Sequence, residues 1–326
     1  MKKALAIVFF AFLIVSNISC KKNRHNEDDA TPFGIAVVVE KNNVPELWYM
    51  AADGTSFNKV YENSLGLTDV SGNPAWSSDG RKIYFVKNGD QPGVNGIYRV
   101  KPDGSDLTPV YTDDETQTRK FYHINSAGND QHIVFSYDIP RNGRKAIEIY
   151  RMCPCGQRVN RLTTFEIDKE HPGKYLSTEA YAGSFSKDSK TLLVCQADPS
   201  ITGKKDVKIM AIDIENPENI KLISTVKAAD VAGCSPSLSP DGKKILLSVD
   251  GNIFSMNADG SNKKQLGELK GFRPVWDKNS EDFYFSSYTI PNMEQGIYKA
   301  NIQLTKLEII SRKPGAGTYC GFSLNK

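Results

Sequence analysis

The feature that most constrains the fold is a nine-residue segment that recurs six times along the chain. The copies share a short run rich in apolar and aromatic residues, and four of them end in glycine: Glu46–Gly54, Gly96–Gly104, Glu148–Gly156, Asp206–Ile214, Asn252–Gly260 and Gly296–Leu304. They recur at intervals of 44 to 58 residues. Repeats of about 40–50 residues that each carry four short strands are typical of β-propellers.

The stretch from Asn73 to Thr108 shows what one repeat contains. It predicts a short first strand, an Asp-Gly turn, a second strand, a loop, a third strand and another Asp-Gly turn. Such turns need the positive φ that glycine adopts easily. A large residue recurs on the first strand and is predicted to fill the space between neighbouring blades, each contributing roughly 1.5–3 kcal/mol. These positions are Trp76, Phe185, Leu238, Trp276 and Phe322.

The two ends of the chain complement each other. No segment resembling the first strand precedes Gly34–Glu40, whereas Thr318–Lys326 resembles a first strand with nothing after it. A last strand that pairs with the first sheet would leave no open edge. We therefore predict an all-β fold over residues 33–326: a six-bladed β-propeller of four-stranded antiparallel blades, closed by the C-terminal strand completing the first blade.

The amino terminus has the layout of an export signal over residues 1–19. Lys2 and Lys3 precede the apolar run Ala4–Val15, which is short for a membrane span. Cys20 after a small residue resembles a bacterial lipoprotein signal, which implies lipidation of Cys20, and Lys21 implies sorting to the outer membrane. The alternative is an ordinary signal peptide that leaves Cys20 free. Residues 20–32 are polar and predict a flexible tether.

The overall charge gives no reason to expect nucleic acid as a partner. The sequence has 41 Lys and Arg against 38 Asp and Glu, and removal of Lys2 and Lys3 leaves 39 against 38, or about +1. Binding to nucleic acid usually needs a clear cationic excess.

The repeat itself resembles a known family. Pro-x-Trp-Ser-x-Asp-Gly-x-x-Ile-x-Phe at Pro74–Phe85, followed by Ile-Tyr-x-x-x-x-Asp-Gly at Ile97–Gly104, resembles the PD40 (WD40-like) repeat of the TolB propellers, and the resemblance extends over residues 34–326. It implies a non-catalytic scaffold of the cell envelope, facing the periplasm or the cell surface, that recognises a protein or peptide at the mouth of its channel. The alternatives are a propeller lyase or hydrolase acting on a glycan or peptide, and a carbohydrate-binding lipoprotein of an uptake system. We expect a monomer.

The residues that carry chemistry are sparse. The sequence has no G-x-S-x-G, H-E-x-x-H or phosphate-loop motif, so we assign no catalytic residue, metal or cofactor. Cys153 and Cys155 are a candidate disulfide, with free thiols, or a metal or redox role, as the alternatives. Three further cysteines are expected to pack in strands: Cys195, Cys234 and Cys320. His123 and His132 are interpreted as surface or packing residues.

A ligand site is predicted where the first strands converge. We expect the residue three positions before each large residue to lie near the channel mouth, where the set could hold a peptide or a sugar. The alternative is that these residues only line a wet pore or contact the neighbouring blade. The candidates are Asn73, Phe121, Ala182, Ser235, Arg273 and Tyr319.

Overall fold

A computed structural model gives the architecture. It describes residues 34–41, 44–54, 56–61, 73–88, 95–112, 119–141, 144–163, 179–198, 202–287, 294–312 and 317–324. All of these lie within the compact unit Pro32–Lys326. The predicted signal, Cys20 and the tether lie outside the described residues, as does the side chain of Cys320.

The described residues form strands and no helices. The first two sheets are four-stranded and antiparallel. The first contains β1 (Gly34–Lys41), β2 (Val44–Ala51), β3 (Phe57–Tyr61) and β24 (Gly317–Leu324). The second contains β4 (Ala75–Trp76), β5 (Ile83–Lys87), β6 (Gly96–Val100) and β7 (Thr108–Thr112). No apolar helix long enough to cross a membrane is found among these residues.

The third and fourth units share one eight-stranded sheet. The third unit contains β8 (Phe121–Ser126), β9 (Ile133–Arg141), β10 (Arg144–Met152) and β11 (Asn160–Arg161). The fourth contains β12 (Glu179–Phe185), β13 (Thr191–Ala197), β14 (Lys205–Asp213) and β15 (Ile220–Ala228). The two units join through the parallel pairing of Ile147 with Glu179.

Two further four-stranded sheets follow. One contains β16 (Ser237–Leu238), β17 (Lys244–Val249), β18 (Asn252–Asn257) and β19 (Lys264–Lys270). The other contains β20 (Phe272–Trp276), β21 (Asp282–Ser287), β22 (Gly296–Asn301) and β23 (Leu307–Arg312). The six repeated segments of the sequence fall on β2, β6, β10, β14, β18 and β22, each of which is the third strand of its unit.

The last strand pairs with the first sheet. β24 runs antiparallel to β1, with Val37 opposite Phe322 and Ile35 opposite Leu324. The register shifts between Val38 and Val39, where a β-bulge interrupts the ladder. Through this pairing the N-terminal sheet obtains its fourth strand from the C-terminal end of the chain.

The described residues form six hydrophobic clusters; five join two neighbouring units, and one contains residues of the third, fourth and fifth units. Trp76 packs with Ala36 and Leu47 of the first sheet. Trp276 packs with Leu246 of the preceding unit, and both are fully buried. The predicted role of these tryptophans between neighbouring sheets is confirmed. A further cluster joins Ile35 of the first sheet to Tyr284 of the last.

The Asp-Gly turn after the third strand also touches the preceding unit. Gly54 has φ +77°, and a Cβ at this position would overlap the carbonyl oxygen of Ile310 on β23. The same overlap recurs for Gly156 with Val110 and for Gly260 with Ile223, and Gly104 makes a looser approach to Val60, with 3.0 Å between a Cβ and the carbonyl oxygen. Glycine is therefore needed there both for its backbone conformation and for close packing between units.

Candidate functional site

A cavity of about 500 Å³ is walled by the first strand of every unit. We call it the central cavity. Its lining includes residues of β4, β8, β12, β16, β20 and β24, together with the turns that follow several of these strands. Since residues from six separated segments converge on one space, the cavity is a product of the whole repeat array.

Hydrogen bonds between neighbouring first strands fix the wall. The Trp76 indole donates to the carbonyl oxygen of Ser323 at 3.2 Å, and that of Trp276 donates to Ser237 at 2.9 Å. The Ser126 hydroxyl donates to the carbonyl oxygen of Trp76. The Ser184 hydroxyl accepts from the main-chain N–H of Leu238 at 2.7 Å. These bonds join the first strands of neighbouring units through their main-chain groups.

Arg273 is a cation on the first strand β20, and its side chain is hydrogen-bonded to a residue that precedes another first strand, β4. It lies at the bulge of β20, between Phe272 and Val275, and its φ is +54°. A bulge re-aims a side chain, and a non-glycine residue with positive φ carries backbone strain. Its Nη1 donates to Oδ1 of Asn73 at 2.6 Å. Asn73 precedes β4, so this bond spans from the last repeat to the second.

His123 is buried next to Ile124, a residue of the cavity lining, and lies close enough to Arg273 to be affected by its charge. It is 4% exposed, its Nδ1 has no hydrogen-bond partner, and its ring centroid is 4.9 Å from that of Tyr181. Burial lowers the pKa of His123 well below its usual value of 6.5, and the charge of Arg273 lowers this pKa further. The imidazole is therefore neutral at physiological pH.

Four of the six predicted site residues line the central cavity in the structure. Asn73, Ala182, Ser235 and Arg273 line the central cavity. Phe121 does not, because it is fully buried in the cluster between the second and third units. Tyr319 lies on β24 opposite Val39, and its side chain is outside the described part of the chain.

The strand register explains the difference. Trp76 pairs with Ile83, and the equivalent pairs are Ser126 with Ile133 and Leu324 with Ile35. The first-strand position of Trp76 is therefore held by Ser126 and Leu324 in these units. The prediction that Phe322 shares this position is wrong by two residues. Counting back three places puts His123 and Gly321 at the level of Asn73, instead of Phe121 and Tyr319.

Sequence reasoning missed Lys187 and Lys278 as cavity-lining residues, and it did not place His123 beside the site. The two lysines are exposed and line the cavity at the turns after β12 and β20. The spacing of the turns could have identified His123: Ser77 and Ala127 each donate a backbone N–H to the carbonyl five residues on. Aligning these turns instead of the large side chains gives the correct register. The interpretation of His123 as a packing residue fits its burial.

The cysteines divide into two groups. Cys153 and Cys155 form a disulfide within the turn after β10, with their Cα atoms 5.1 Å apart. Cys195 and Cys234 are free and buried, but Cys234 lies before β16, not in a strand as predicted. Burial raises the pKa of Cys234 to about 12. Within the described residues, no group of three or more His, Cys, Asp or Glu side chains is placed to hold a metal ion.

Comparisons with known proteins show which solved structures the fold resembles. No protein-family model matches the sequence, and no curated protein matches it. A chain of a nidogen/laminin complex is similar in structure, with a TM-score of 0.64 and 8% identity over 90% of this chain and 99% of that chain. TolB from Acinetobacter baumannii is also similar in structure, with a TM-score of 0.59 and 17% identity over 89% of this chain and 67% of that chain.

A putative TolB from Agrobacterium tumefaciens gives a TM-score of 0.55 and 15% identity, over 86% of this chain and 89% of that chain. At such identities the similarity is one of fold. The resemblance inferred from the repeat agrees with these structural comparisons, and the chain has a TolB-like β-propeller fold.

Proposed function

We propose that the protein is a non-catalytic binding module that holds a protein or peptide partner in the central cavity of a closed six-bladed ring. One observation carries the proposal: a single cavity is walled by the first strand of every unit and held by hydrogen bonds between them. A site that is already formed loses little ordering entropy when it binds.

Contacts between first strands support the closed ring. They run from β24 to β4, then through β8, β12, β16 and β20 back to β24. The hydrophobic clusters follow the same cycle, since Ile35 and Tyr284 join the first sheet to the last. In this proposal the two units that share one sheet are separate blades, which meet at the pairing of Ile147 with Glu179.

A blocking variant tests the binding function. Gly128 lines the cavity, and a Cβ there would meet only the Ser189 hydroxyl, at 3.9 Å. Gly128→Trp should therefore fold normally while its indole obstructs the cavity. Gln131→Trp is the matched control, because it places the same exposed side chain in the same turn outside the cavity lining.

The measurement is the retention of peptides and oligosaccharides from envelope digests on immobilised protein, read by mass spectrometry. We expect wild type and Gln131→Trp to retain the same peptides and Gly128→Trp to lose them. Equal retention by all three proteins would contradict binding in the cavity. Conversion of a retained compound to product by the wild type would overturn the non-catalytic assignment in favour of an enzyme.

The envelope location is a separate part of the proposal. We propose that Cys20 carries lipid and anchors the protein to the outer membrane through residues 20–32, facing the periplasm or cell surface. The support is the signal-like segment before Cys20 in the sequence. We expect Cys20→Ala to prevent labelling by a fatty-acid probe and to release the protein from membranes. Membrane association that survives this change would contradict the anchor.

A further inference from the structure

The charge of the central cavity indicates what kind of partner it takes. Arg273, Lys187 and Lys278 line it, and no Asp or Glu is among its lining residues in the described part of the chain. Arg273 precedes Trp276 on the first strand of its unit and Lys278 follows it, so cations occur towards both ends of the same wall.

Nearby carboxylates are held within their own turns. Asp79, Asp188 and Asp241 each accept a hydroxyl hydrogen bond, at 2.6 Å, from the serine two residues earlier. Each also accepts from a main-chain N–H of its turn, at 3.0 to 3.2 Å. These bonds lower the pKa of Asp188 and Asp241 and keep their carboxylates engaged at the turns.

The polar surface between the cations suits an extended peptide. Many serines line the cavity, among them Ser78, Ser235 and Ser239. The aromatic faces that stack on sugars are mostly covered, because Trp76 is 6% and Phe322 1% exposed, whereas Phe185 is half-buried. Hydroxyl groups with little open aromatic surface favour a peptide over a glycan.

We propose that the central cavity binds an acidic peptide segment and that Arg273 holds one of its carboxylates. The inference rests on the proposed binding function and names its ligand class. The planar guanidinium presents several donors in a fork that matches a carboxylate, and Asn73 holds one of its nitrogens in place at 2.6 Å. The bulge that gives Arg273 its positive φ sets the position of this fork.

The test uses three fluorescein-labelled peptides of equal length: one with alternating Asp and Ser, one with Asn in place of Asp, and one with Lys. Fluorescence anisotropy measures their binding to the full chain at low and moderate salt. We expect the acidic peptide to bind at least about tenfold more tightly than the amide peptide and to weaken as salt rises.

Variants then locate the carboxylate. Arg273→Met should lower the affinity for the acidic peptide by about tenfold or more, whereas Arg273→Lys should retain part of this affinity because it keeps the charge. Lys264→Met is the control, since it removes an exposed cation from β19 on the outer edge of its sheet. Thermal melts of each variant exclude loss of folding as the cause.

The outcomes separate this inference from the proposed function. If Gly128→Trp abolishes binding but the amide peptide binds as well as the acidic one, binding in the cavity stands and the acidic ligand is overturned. If Gly128→Trp leaves all peptide binding intact, both are overturned. If an oligogalacturonate binds through Arg273 and the acidic peptide does not, the ligand is a glycan and the peptide assignment is overturned.

Discussion

At the scale of a single residue, His123 is a buried imidazole close to the charge of Arg273. It is buried against Tyr181, with Nδ1 unpartnered, in the same part of the molecule as the Arg273 guanidinium. A protonated imidazole would there be both desolvated and close to another cation. The folded protein therefore keeps this histidine neutral at pH values where an exposed histidine would be charged.

This gives a pH dependence with a definite sign. The pKa of His123 is lowered on folding, so below about pH 6.5 the unfolded chain binds a proton that the folded chain does not. The free energy of unfolding should then fall by up to about 1.4 kcal/mol per pH unit as pH decreases from 6.5. His123→Asn should remove this contribution.

The measurement is urea unfolding of both proteins at several pH values between 5 and 8. Above pH 7.5 the two stability curves should be parallel, which serves as the internal control. Curves that stay parallel down to pH 5 would show that His123 becomes protonated in the folded state without cost.

At the scale of the element, the turn after the third strand has two structural roles in four of the six units. It reverses the chain with a glycine of positive φ, and its backbone lies against the outermost strand of the preceding unit. The turn therefore adds a contact between units beyond the hydrophobic clusters. In the third unit a Cys153–Cys155 disulfide lies in this turn, but Gly156 is retained and the close approach to Val110 is the same.

A pair of glycine substitutions separates the two tasks. Gly54 and Gly242 have similar φ values of +77° and +73°, but a Cβ at Gly242 would meet nothing within 4 Å. Gly242→Ala should therefore cost only the backbone strain, about 1 kcal/mol. Gly54→Ala should cost a further 1–3 kcal/mol, because the methyl group would displace Ile310.

Chemical unfolding of both variants measures this difference. Equal losses of stability would show that the turn and β23 separate without cost. A larger loss for Gly242→Ala would contradict the packing argument.

The repeat predicted the elements well but not the register at two of them. Strand existence followed from turns and apolar runs, which are local signals. The first strand of the third unit has Ser126 where two other units have tryptophan, so no large residue marks the register there. In β24 both Phe322 and Leu324 are large, and only their pairing with Val37 and Ile35 shows which of them matches Trp76. Side-chain sizes reveal neither the bulges nor the register, because both depend on pairing with a distant strand.

At the scale of the whole molecule, the two ends of the chain depend on each other. β24 supplies the fourth strand of the first sheet, and Trp76 of the second sheet donates a hydrogen bond to Ser323 on β24. Phe322 and Leu324 are buried in the cluster that also contains Tyr284 of the last sheet. β24 therefore contacts three sheets, although it belongs to only one.

Truncation tests this dependence. A chain that ends at residue 316 lacks β24 and exposes the β1 edge together with the apolar surface that Phe322 and Leu324 cover. We expect it to lose cooperative unfolding and to exchange amide hydrogens faster at β1, β4 and β20. A chain that lacks only Asn325 and Lys326 is the control and should match the wild type. If the longer truncation perturbed β1 alone, the neighbouring sheets would not depend on β24.

The pairing of β1 with β24 also bears on biogenesis. The ribosome synthesises β1 long before β24, so for most of its synthesis the nascent chain carries an apolar strand with one unpaired edge. Contacts between such distant segments form slowly. We therefore expect the first sheet to stay incomplete until β24 is synthesised, with the Ile35–Val39 edge open to chaperone binding during that interval.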